Sequence, residues 1–109
     1  MKQEAIIDLE KFRSQGAKVF TGRDRGKTVR EKSKINSLEA SHDKVKIIIP
    51  DDLYSINPSF FEEFLYDVIK KLGKEGFMAK FTFQNEGEYK IADDLDEGIT
   101  RILRRNNVL

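Results

Sequence analysis

The sequence predicts an α/β fold, and three observations carry that prediction. The β-branched run Val45-Lys46-Ile47-Ile48-Ile49 stops at Pro50, as a strand does. Residues 58–72 set Phe61, Phe64, Leu65, Val68 and Leu72 on one helical face. Segments of strand and helix character alternate along the whole chain, the pattern of parallel strands joined by helices.

The elements follow in order. Residues 4–9, Glu-Ala-Ile-Ile-Asp-Leu, read as a short strand. After a polar stretch around Ser14-Gln15-Gly16, residues 24–36 read as a helix with a thin apolar face of Val29 and Ile35. Three isoleucines without alternation in 45–49 predict a central strand buried on both faces. The 58–72 helix carries Glu62, Glu63 and Asp67 early and Lys70-Lys71 late, which suits the helix dipole. Gly73 is its expected stop, and Phe60 and Ile69 fall outside the main stripe. Residues 79–84 alternate, with Phe81 and Phe83 opposite Lys80 and Thr82, as in a strand with one wet face. Ala92, Leu95, Ile99, Ile102 and Leu103 form a last helical stripe, which Gly98 weakens by about 1 kcal/mol relative to Ala.

Composition bounds the function. The chain has 109 residues, 39% of them hydrophobic, enough for one domain over residues 1–109 and too few for two. Charged residues are 36%, yet Lys+Arg is 20 against 19 Asp+Glu, a net charge of +1. That balance argues against nucleic-acid binding by bulk charge. No run has the length of a membrane span. Glu4 and Asp8 around a short apolar patch do not read as a signal peptide, so the expected compartment is the cytoplasm. With no Cys, disulfides, thiolate metal sites and cysteine nucleophiles are excluded. The charge is nevertheless uneven: residues 11–34 carry a net +7 and the remainder −6. The basic segment reads either as a solvated surface or as a site for an anion or acidic partner, with Arg23, Arg25, Lys27 and Arg30 as the candidate contacts.

Four patterns bear on chemistry. Gly22 and Gly26-Lys27-Thr28 approach a phosphate loop, but only three residues separate the glycines where the motif needs four. Ser41-His42-Asp43 holds the residue types of a catalytic triad, but adjacent residues do not converge from separate elements as a triad requires. His42 is the only His, and a lone His with no Cys argues against a zinc site. The acidic pairs Asp51-Asp52, Glu62-Glu63 and Asp93-Asp94 read as helix-start or solvated charges without the apolar surroundings that raise a carboxyl pKa. No nucleophile and base pair stands out, so neither a catalytic residue nor a cofactor is expected.

The fourth pattern is Ser55-Ile56-Asn57-Pro58-Ser59-Phe60-Phe61-Glu62. Asn57 suits an N-cap with Pro58 at the first helical position; alternatively Ser59 and Glu62 form a capping box. Beside this local role, Ser59 would sit exposed in the first turn, where free N–H groups favour a phosphate. Ser55, Asn57 and Phe60 then make a candidate partner-facing loop and helix start. Exposed apolar residues such as Phe60 and Tyr54 leave a homodimer open.

The Gly22-Arg23-Asp24-Arg25-Gly26-Lys27-Thr28-Val29-Arg30 segment, the strand 45–49 and the Pro58-Ser59-Phe60-Phe61-Glu62 helix start together resemble the small STAS-like domain family of uncharacterised bacterial proteins. The resemblance spans nearly the whole chain. It implies a sandwich of about four strands in a mixed sheet with helices mainly on one face. It is also similar, more distantly, to anti-sigma-factor antagonists, in which a Ser or Thr opening the helix after a central strand is phosphorylated. That likeness implies Ser59 as phosphoacceptor, a protein partner such as an ATP-binding kinase-type regulator, and a non-enzymatic role in bacterial signalling. The alternative is a nucleic-acid or nucleotide/anion-binding protein using the basic segment; it lacks interleaved aromatics over residues 22–34 on which bases would stack.

Overall fold

The structure is a computed structural model that describes residues 3–106. Strand β1 (Glu4–Asp8) leads through a 3₁₀ turn (Leu9–Phe12) to the short β2 (Val19–Phe20). Helices α1 (Arg23–Ser33) and α2 (Ile35–Ser41) precede β3 (Lys44–Ile49) and the short β4 (Ser55–Ile56). Helices α3 (Pro58–Phe64) and α4 (Tyr66–Lys80), strand β5 (Phe81–Asn85) and helix α5 (Ala92–Asn106) complete the order. The main sheet is β1-β3-β5 and a separate pair joins β2 to β4, with every pairing parallel. The α/β class and the alternation of strand and helix are therefore as the sequence predicts. The sheet differs from the expected mixed sheet of about four strands: it has three strands plus a two-strand ribbon.

Central β3 pairs with both neighbours, aligning Ala5, Val45 and Phe81 in one row and Ile7, Ile47 and Phe83 in another. That face is covered. The opposite face shows Ile6 57% exposed, with Thr82 and Gln84 also exposed and Ile48 half-buried. The expectation of a strand buried on both faces is thus corrected: one face carries the helices and the other is largely open. Continuous isoleucine reads as two-sided burial because β-branched residues favour strands whichever face they occupy.

The helices also divide more finely than the sequence suggests. The expected 24–36 helix ends at Lys34, which adopts a left-handed conformation (φ 60°) and starts α2. The expected 58–72 helix breaks at Leu65 into α3 and α4. Gly73 does interrupt the helix (φ 75°, ψ 172°), yet the chain resumes helical geometry to Lys80. Phe60, Phe61, Phe64, Leu65 and Ile69 are all fully buried, so Phe60 and Ile69, outside the main stripe, also pack into the core.

Helix α3 lies between α1 and α5, and a glycine stands at each contact. A Cβ on Gly26 would sit 2.6 Å from the Phe60 carbonyl oxygen and 2.8 Å from the Glu63 Cβ; one on Gly98 would sit 2.7 Å from the Phe61 Cβ. Gly98 therefore gives up helix propensity for close approach.

Candidate functional site

The Asn57 side chain caps α3 by accepting from the Ser59 backbone N–H at 2.8 Å, and Pro58 occupies the first helical position. The Ser59 hydroxyl donates to the same Asn57 Oδ1 at 2.7 Å. Of the two sequence alternatives the Asn57 cap forms, while Glu62 turns to arginines instead of closing a capping box. Ser59 and Ser55 are half-buried and Asn57 is exposed. Phe60 departs from expectation. It is fully buried, with its ring 5.0 Å from that of Phe20 and 5.5 Å from that of Phe64. It faces neither a partner nor a second copy, because α3 is flanked by helices on both sides. Tyr54, 73% exposed, is the aromatic that does reach the surface here.

One turn beyond Ser59 lies a cluster the sequence reading missed. Glu62 and Glu63 are 2% and 4% exposed, not solvated helix-start charges. Arg23 Nη1 lies 2.9 Å from Glu62 Oε2 and 3.4 Å from Glu63 Oε2. Arg105 Nη1 lies 3.0 Å from both of those oxygens and its guanidinium stacks on the Tyr66 ring at 4.3 Å. Arg30 donates to the Glu63 backbone carbonyl at 2.7 Å and stands 3.8 Å from Glu63 Oε1. Helices α1, α3 and α5 are thereby joined through two carboxylates and three guanidinium groups, the pairing that buried charge requires. Glu62 Oε1 is buried and accepts no hydrogen bond among the described residues. A signal for this burial was present: Phe60-Phe61 before the pair and Phe64 after it leave α3 no wet face.

The basic segment is therefore split. Arg23 and Arg30 face Glu62 and Glu63 and are spent on internal charge. Arg25 donates to the Ser14 hydroxyl, and Lys27 is exposed. Gly26, the would-be second glycine of a phosphate loop, is buried against α3, so these residues do not curl into a nest of free N–H groups. The Ser41-His42-Asp43 trio closes the end of α2: Ser41 Oγ donates to the Ser37 carbonyl at 2.9 Å, and His42 Nδ1 lies 3.0 Å from the Leu38 carbonyl. Among the described residues no group of three or more His, Cys, Asp or Glu is placed to hold a metal ion. Within the same residues no helix is long and apolar enough to cross a membrane.

Two depressions flank the loop after β1. The larger, about 420 Å³, is lined by Lys18, Asp51, Asp52, Tyr54, Glu86 and Glu88. The smaller, about 150 Å³, lies between the 3₁₀ turn and α1, and its charged lining is Lys11, Arg13, Arg25 and Lys32. Asp52 joins them, with Oδ1 accepting from Arg13 at 2.8 Å and Oδ2 from Lys18 at 3.0 Å. Those two cations push the Asp52 carboxyl down to about 2. Of the four basic residues expected to act together, only Arg25 lines the small cleft. Lys11, Arg13 and Lys32 were missed there because they meet only through the fold.

Compared with known proteins, the chain matches no family model, no curated protein and no solved structure.

Proposed function

We propose that the chain is a STAS-like regulatory domain of bacterial signalling, cytoplasmic and non-enzymatic, that acts by binding a protein partner. The α/β fold with one covered sheet face and the STAS-like sequence segments support the reading. The observation that carries it is the placement of Ser59, half-buried at the start of α3, one turn before the Glu62 carboxylate that Arg23 holds at 2.9 Å. Residues three apart on a helix are neighbours. A phosphoryl group at Ser59 would add about −1.5 to −2 charges beside Glu62 and compete for Arg23, whose side chain is 54% exposed. The contact between α1 and α3 would loosen, and the surface built from Ser55, Asn57 and the start of α3 would change for its partner. An ATP-binding kinase-type regulator is the partner chemistry this switch needs.

Incubating the full chain with ATP and such a regulator, then measuring the intact mass, tests the proposal. The expected result is one phosphoryl adduct, absent from Ser59→Ala, with partner affinity altered in Ser59→Asp. An unmodified chain whose partner binding is indifferent to Ser59→Asp would overturn it. Anion binding by the set Arg23, Arg25, Lys27 and Arg30 has narrower support, since Glu62 and Glu63 hold Arg23 and Arg30 and leave only Arg25 and the exposed Lys27.

A further inference from the structure

We propose that the cleft between the 3₁₀ turn Leu9–Phe12 and the outer side of α1 binds a phosphate monoester dianion. This site is separate from Ser59 and does not rest on its modification. Four cationic side chains line the cleft, Lys11, Arg13, Arg25 and Lys32, and no carboxylate does. Arg13 is already engaged, at 2.7 Å from Glu10 and 2.8 Å from Asp52. The others have no ion pair among the described residues, and the Arg25 guanidinium meets a neutral hydroxyl on Ser14. Three uncompensated positive charges around one cleft suit a doubly charged ligand.

Size and surroundings narrow the class. A volume of about 150 Å³ has room for one tetrahedral anion, since a cavity of about that size holds a benzene. Thr28 also lines the cleft, and Arg25 supplies a planar fork suited to phosphate oxygens. Val29, 1% exposed, backs the cleft with apolar surface, which strengthens charge interactions at its floor. A nucleic-acid backbone is a poorer fit. The neighbouring depression, reached across Asp52, carries Asp51, Glu86 and Glu88, which would repel the next phosphates of a polyanion.

Titration of the full chain with orthophosphate, followed by thermal unfolding and by calorimetry, tests the site. Phosphate should raise the unfolding midpoint while chloride at matched ionic strength does not. Arg25→Gln and Lys32→Gln should each weaken phosphate binding by about tenfold, whereas Lys90→Gln, which removes an exposed charge elsewhere, should leave it unchanged. Circular dichroism of each variant separates lost binding from lost fold. A phosphoserine peptide binding more tightly than orthophosphate identifies a modified protein as the source; equal affinities identify free phosphate. Equal weakening in all three variants, or no phosphate-specific stabilisation, overturns the proposal. So does an oligonucleotide that outcompetes the phosphoserine peptide with a steep salt dependence.

Discussion

Arg23 and Arg25 stand two positions apart on α1 and meet different surroundings. Arg23 and Arg30, seven residues apart and so on one side of the helix, meet buried carboxylates of α3. Arg25 and Lys32, also seven apart, line an open cation cleft on another side. The same +7 segment therefore supplies internal counter-charge on one side and an unneutralised surface on the other. Helical phase decides which residue does which, and the net charge of a segment does not.

Breaking the inner side should have the largest effect. Glu63→Ala leaves Arg30, 17% exposed, without its buried carboxylate and should lower stability by about 4 kcal/mol, read as a shift in the urea midpoint. A loss under about 1 kcal/mol would mean that the cluster contributes no more than surface pairs do. Next comes Gly26→Ala, whose Cβ would stand 2.6 Å from the Phe60 carbonyl oxygen. Crowding of about 3 kcal/mol, less about 1 kcal/mol of gained helix propensity, predicts a net loss of about 2 kcal/mol in the same measurement.

Acid sharpens the comparison on a third buried carboxylate. Burial opposes ionisation of Glu39, but hydrogen bonds from Lys71 and Lys80 outweigh it and hold its carboxyl below the usual 4.5. A carboxyl depressed on folding stabilises the native state above its unfolded pKa, and the gain disappears as pH falls through the folded value. Stability should therefore decline on acidification below about pH 4.5, and Glu39→Gln should start lower at neutral pH and decline less. Parallel acid limbs for the two proteins would remove Glu39 from this role. The smallest effect belongs to the outer side of α1: Lys32→Gln should change stability by no more than about 0.5 kcal/mol.

The sequence made much of the frame legible and little of the chemistry. The β3 run and the Phe61-Phe64-Leu65-Val68 stripe were readable because each follows one period with strong apolar residues. Helix α2 was not, since Ile35 and Leu38 are too few to show a period among serines and Asn36. Two-residue strands such as β2 and β4 lie below the length at which alternation exists. Asn57 was legible as a cap because capping is local. The burial of Glu62 and Glu63 was signalled only by the phenylalanines around them, and their pairing was not legible, because the partners come from Arg23 and Arg30 on one helix and Arg105 on another. Acids near a helix start read as dipole complements whether or not other helices cover them. Phe60 misled for the same reason: its burial depends on Phe20 of β2, far away in the sequence.

Thermal unfolding of the wild type, Arg23→Gln and Arg25→Gln, each with and without phosphate, tests the division of α1 directly. Arg23→Gln should unfold at a lower temperature yet keep the full phosphate-induced increment, while Arg25→Gln should keep the wild-type midpoint and, at phosphate near the wild-type Kd, lose most of the increment. If both variants lose the increment equally, or Arg25→Gln alone is destabilised, α1 does not sort its arginines into an inner structural set and an outer binding set.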